Sequence, residues 1–122
     1  MLPDITMERV NDYGANSLLL KMRKCSVLLD TPELDELIER LSAIRQEILP
    51  ETPIRPSPNH QYVVETEPVW RTIRNPLFDG LVVFFRHSGF GWTGFAISDH
   101  GIPEFIKAMS AFAEGPAKTD TV

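Results

Sequence analysis

Apolar and polar residues along this chain alternate with two different periods. Between Thr31 and Ile48, the residues Leu34, Leu37, Ile38, Leu41, Ile44 and Ile48 recur at steps of three and four. That spacing puts them on one face of an amphipathic helix. The opposite face carries Asp35, Glu36, Glu39, Arg40, Arg45, Gln46 and Glu47. Asp30 and Glu33 form a D-x-x-E capping box, Pro32 fits the first turn, and Leu49–Pro50 ends the helix. A second helix is predicted from Gly101 or Ile102, with Ile102, Phe105, Ile106, Met109 and Phe112 as its stripe. Pro103 must lie in its first turn, where its missing N–H costs nothing.

The remaining apolar runs read as strands. Residues 4–12 alternate weakly through Ile5, Met7 and Val10, as a short edge strand or arm does. Residues 13–16 read as a turn. The run 17–29, SLLLKMRKCSVLL, fits both periods. As strands it puts Leu18, Leu20 and Met22 on one face, with Leu19 and Val27 on the other. As a helix it groups Leu18, Leu19, Met22 and Cys25 behind an Asn16 cap. Leu28 and Leu29 abut a separate helix start, which favours the extended form. Residues 61–66 and 68–74 follow as strands, and Pro68 marks an edge or a strand beginning. Leu81–Phe85 is continuously apolar, which predicts a central strand covered on both faces. Its hairpin partner is Phe90–Ile97, across a turn shaped by Gly89 and Gly91. The stretch Phe78–Phe112 holds all seven phenylalanines and is the aromatic centre of the chain.

These elements predict an α+β fold, with one antiparallel sheet of about four to six strands packed by two helices. Val27–Ile44 lies over Phe95–Phe112 at an offset of 68, with Glu36/Glu104, Ile38/Ile106, Ser42/Ser110 and Ala43/Ala111 identical. That match raises the alternative of two strand–strand–helix halves, a pseudo-duplication. Residues 1–114 are read as a single domain with a proline-rich crossover at 49–60, where Pro50, Pro53 and Pro56 recur every third residue. Residues 115–122 are read as a flexible tail.

Composition narrows the function classes. The 122 residues are 43% hydrophobic and 24% charged, as in ordinary globular chains. Seven acids against Arg40 and Arg45 within residues 30–51 hold the whole net charge of −5, and the rest of the chain is neutral. An acidic balance disfavours duplex DNA and anionic membrane. No apolar run approaches the ~18 residues of a membrane span, and the N-terminus has no basic region before an apolar run, so a cytoplasmic protein is expected. Cys25 is single, which excludes an internal disulfide, and its neighbours Val27–Leu29 suggest a small buried hydrophobe.

No motif marks catalysis or a cofactor. Gly89–Phe90–Gly91–Trp92–Thr93–Gly94 spells G-x-G-x-x-G, but the third glycine runs into Phe95–Ala96–Ile97 rather than into the helix a phosphate cradle needs. His60, His87 and His100 lack metal-ligand spacing, and Ser88 beside His87 points to the opposite face of a strand. The expected function is a small non-enzymatic interaction module of the adaptor, inhibitor or immunity type. It would meet a protein partner or a second copy through the acidic helix residues Glu36 and Glu39, or through aromatic strands. The alternative is single-stranded nucleic-acid binding on a basic–aromatic face built from Trp70, Arg71, Arg74, Arg86 and Trp92. A further alternative is a small enzyme whose site leaves no local motif.

Overall fold

The computed structural model describes residues 4–12, 15–74, 77 and 79–114. The tail expected at 115–122, the Tyr13–Gly14 half of the turn expected at 13–16, and Asn75–Pro76 lie outside the described residues, whereas Ala15 and Asn16 begin a strand rather than close a turn. Among the described residues the fold is α+β, and six strands form two three-stranded antiparallel sheets where sequence suggested one. The chain divides into two units, Met1–Tyr62 and Val63–Val122, each with the order strand–strand–strand–helix.

The first unit holds β1 (Ile5–Asp12), β2 (Ala15–Met22), β3 (Cys25–Leu29) and α1 (Thr31–Arg45). The order β1–β2–β3 is a meander with β2 in the centre. The ambiguous run 17–29 is therefore two strands around a turn at Arg23–Lys24, and Ile5–Asp12 is an edge strand. The register pairs Met7 with Leu20 and Leu20 with Val27, and pairs Met22 with Cys25. Directly opposed residues share a sheet face, so Met7, Leu18, Leu20, Met22, Val27 and Leu29 form one leucine face. Val27 was expected on the other face. The two-residue turn at Arg23–Lys24, with Arg23 at φ 55, sets the registry that moves it. Cys25 is exposed on this same face rather than buried.

Helix α1 starts where its local chemistry dictates. The Asp30 side chain accepts from the Glu33 amide at 2.9 Å, and Glu33 accepts from the Asp30 amide at 2.9 Å. The helix ends at Arg45, three residues before the sequence pattern does. The residue before Pro50 is biased away from helical backbone. Accordingly the last bonds tighten to three-residue steps, Glu47 to Ile44 at 3.0 Å and Ile48 to Arg45 at 3.2 Å. The Arg45 guanidinium caps the Ile48 carbonyl at 3.0 Å. The apolar stripe of α1 is half-buried at Leu34, Leu37 and Ile38, and exposed from Leu41 onward.

The second unit holds β4 (Trp70–Ile73), β5 (Gly80–His87), β6 (Gly91–Ser98) and α2 (Gly101–Glu114). Strand β5 is central, as its unbroken apolar run predicts. Val82 and Val83, adjacent and therefore on opposite faces, are the buried hydrophobic residues among those described, at 7% and 6% exposure. Gly80 opens β5 at φ 134, and a Cβ there would meet the Ile97 carbonyl oxygen at 2.1 Å, so only glycine fits. The strand expected at 61–66 does not form. Glu67 at φ 49 turns the chain just before Pro68, and pairing to β5 begins only around Val69, whose carbonyl accepts from the Arg86 amide at 2.9 Å. Helix α2 keeps Pro103 in its first turn, and the Ser98 hydroxyl accepts from the Gly101 amide at 3.2 Å.

The capping box gives a direct check on α1. Asp30→Ala removes one partner from two reciprocal bonds, and should cost about 1 kcal/mol of stability in urea unfolding. An unchanged midpoint would show that the cap does not hold the helix start.

Candidate functional site

The β5–β6 hairpin carries the densest polar arrangement of the second unit. Its turn, Ser88–Phe90, is closed by His87, whose Nδ1 accepts from the amides of Gly89 at 2.9 Å and Phe90 at 3.0 Å. Nδ1 therefore serves the turn as an acceptor, which leaves Nε2 as the ring's donor. Nε2 is buried without a partner. The Phe90 ring lies against the imidazole, with centroids 4.5 Å apart. Leaving one donor unpaired costs about 1–3 kcal/mol, which the two amide bonds at Nδ1 offset. His87 is thus a turn clamp and not half of a Ser–His pair.

Glu65 reaches the same turn from 23 residues upstream. Its Oε1 accepts from the Ser88 amide at 3.0 Å and from the Ser88 hydroxyl at 2.8 Å. The Ser88 amide, and next its hydroxyl, hold the Glu65 carboxyl below the usual glutamate range; partial burial opposes this, and His87 and Arg86 assist more weakly. Sequence reasoning did not single out Glu65, because a contact across that separation leaves no local pattern.

The register sorts the proposed binding residues by face. Arg86 pairs with Trp92, and Phe84 pairs with both Arg71 and Gly94. Arg71, Phe84, Arg86 and Trp92 therefore share one face. Trp70 pairs with Phe85 and so lies on the other face, next to the tilted Phe85–Phe95 contact at 6.5 Å. The expected meeting of Trp70 with Arg86 and Trp92 does not occur, since an odd step along β5 separates Phe85 from Arg86. Both tryptophans are exposed, at 58% and 51%. Arg74 follows the end of β4 and is exposed. The Arg71 guanidinium folds back to donate to the Trp70 carbonyl at 2.7 Å.

Gly94 is shaped by this face. The Phe84 ring covers it so closely that a Cβ would stand 2.7 Å from Cε1. The G-x-G-x-x-G stretch is a hairpin, with Gly91 at φ 81 and Gly94 under an aromatic ring, and it leads into strand. That arrangement presents no helix N-terminus to a phosphate. In the first unit, Glu36 pairs with Arg40 at 3.4 Å, and Glu39 has no ion pair among the described residues. Both acids are solvated on the outer side of α1. A groove of about 300 Å³ lies between the start of α1 and the leucine face, lined by Met7, Leu18, Leu29 and Leu34 among others.

Among the described residues, no group of three His, Cys, Asp or Glu side chains is placed to hold a metal ion, and no helix is long and apolar enough to cross a membrane. In comparisons with known proteins, the chain matches no family model, no curated protein and no solved structure.

The Glu65 contact carries a pH dependence of definite sign. A carboxyl whose pKa is lowered by folding contributes its full stability above its unfolded value of about 4.3. It loses that contribution as pH falls through the folded value. The protection factor of the Ser88 amide in hydrogen exchange should therefore decline below about pH 4, and Glu65→Gln should abolish that decline. A Ser88 amide equally protected at either pH would show that the tether does not hold the turn.

Proposed function

We propose that this chain is a non-enzymatic interaction module that completes its hydrophobic core against another polypeptide. One observation carries the reading. Val82 and Val83 are the buried hydrophobic residues among those described, whereas Met7, Met22, Val27, Leu41 and Ile44 in the first unit stay about half exposed. In the second unit Trp70, Trp92, Phe95, Phe105, Ile106 and Met109 do the same. Single exposed apolar residues are ordinary, but continuous stripes of them mark surfaces that bind. The solvated Glu36 and Glu39 would face basic groups at the rim of such an interface and steer association more than strengthen it. The shared order of elements, with the segments related by the offset of 68 falling on the third strand and helix of each unit, supports reading the units as two copies of one element. A cytoplasmic setting fits a chain whose single cysteine forms no internal disulfide.

A second reading is favoured by a different observation. Arg71, Arg86, Phe84 and Trp92 share one sheet face, and that combination of cations with an exposed indole suits unpaired bases. The first reading ranks higher because it accounts for both helices and both sheets.

Two measurements separate these readings. Under the first, Phe105→Glu on α2 should lower binding of a hydrophobic dye, or weaken whatever complex the purified chain forms, by about tenfold. A monomer that binds neither dye nor protein would end this reading. Under the second, a labelled single-stranded oligonucleotide should bind with an affinity that falls as salt rises, and Trp92→Ala should cost about 1–3 kcal/mol. Absence of binding at low salt would exclude it.

A further inference from the structure

The first unit contains an apolar sheet face without a full cover and an apolar helix stripe without a full partner. On the leucine face, Met7, Met22 and Val27 are about half exposed. On α1 the same holds for Leu41 and Ile44, and Ile48 just past the helix end is no better covered. The reason is the connection. A single residue, Asp30, separates β3 from α1, and its side chain is committed to the capping box. The first turns of α1 therefore reach the sheet near Leu18 and Leu29, as the groove lining shows, and the later turns do not cover Met22 and Val27. The helix spans about 22 Å and an eight-residue strand about 26 Å, so the two surfaces match in length.

Resting on the interaction reading above, we propose that the partner of the first unit is a second copy of this chain. In this pairing, the exposed half of α1 lies on the leucine face of the other copy, by two-fold exchange. The reciprocity favours a copy over a foreign chain, because each chain both lacks a helix and offers one, and an isologous contact meets both needs at once. The area is of the right order. Met7, Met22, Val27, Leu41 and Ile44 offer about 80 Å² each, roughly 400 Å² per chain, and Ile48 and Leu49 just past the helix end are exposed as well. The half-buried Leu18, Leu20, Leu37 and Ile38 extend the patch toward the ~800 Å² per partner of a standard stable interface. Among the described residues, the only charge on the face is Arg9, placed on the edge strand opposite Leu18.

Cys25 reports on this arrangement, because it is the sole thiol and stands opposite Met22 on the same face. The test pairs light scattering of the purified full-length chain with the rate of Cys25 alkylation by iodoacetamide, for the wild type and for Leu41→Glu/Ile44→Glu. Leu41 and Ile44 are exposed in the single chain, so circular dichroism should show the variant's fold retained. The expected result is a wild-type dimer whose Cys25 reacts at least tenfold more slowly than in the variant, with the variant monomeric. A dimer whose Cys25 reacts freely would overturn the proposal by placing the contact elsewhere. A monomer with freely reacting Cys25 would overturn the second copy but leave a foreign partner, and with it the interaction reading, standing. A monomer with protected Cys25 would overturn both, because the chain would then cover its own face. The wild-type measurements decide among these outcomes even if the variant fails to fold.

Discussion

Hydrophobic burial drives this fold, and the links between strand and helix limit how far one chain can achieve it. Each sheet has two faces, and each is followed by one helix. The links are short: Asp30 before α1, and Asp99–His100 before α2. So short a link sets a helix down at the end of its own sheet and leaves the apolar stripe to run on past it. The exposed later turns of α1 and most of the stripe of α2 follow from that geometry. Capping strengthens the effect, since Asp30 fixes the helix start and removes the freedom to fold back.

What could be read in the sequence was what local chemistry decides. The start of α1 was legible because Asp30, Pro32 and Glu33 each act within one turn. The central place of β5 was legible because an unbroken apolar run needs cover on both faces. What needed long-range information was hidden. The division into two sheets depends on which strands pair, and alternation within a strand does not say. The face of Val27 depended on a turn at Arg23–Lys24, where arginine occupies a left-handed backbone position that sequence would assign to glycine or asparagine. Residues 61–66 have strand composition but no ladder, because the chain turns at Glu67 before it reaches β5.

The candidate surface shows the same division. Arg86 and Trp92 were legible as neighbours because a short hairpin fixes their pairing. Trp70 was misplaced because a shift of one residue in the β4–β5 registry exchanges the faces. The Glu65–Ser88 tether was invisible for lack of any periodic signal, yet it anchors the segment before β4 to the hairpin turn. The G-x-G-x-x-G spelling shows how a motif takes its meaning from context. Its first two glycines serve the hairpin turn and its last makes room for the Phe84 ring, so none is left for an anion.

The meander order of both sheets bears on how the protein is made. Every strand pairs with its neighbour in sequence, so most contacts in a unit are local. Local contacts lower the entropy lost in closing loops and speed folding. A hairpin forms in about 1–10 μs, whereas a ribosome adds about 5–20 residues each second. The β1–β2–β3 sheet can therefore assemble while the chain beyond it is still being synthesised, and its leucine face stands open to solvent from that moment. The cell meets this surface first on a nascent chain, so the interval before α1 is made and docked is the period of greatest risk for aggregation.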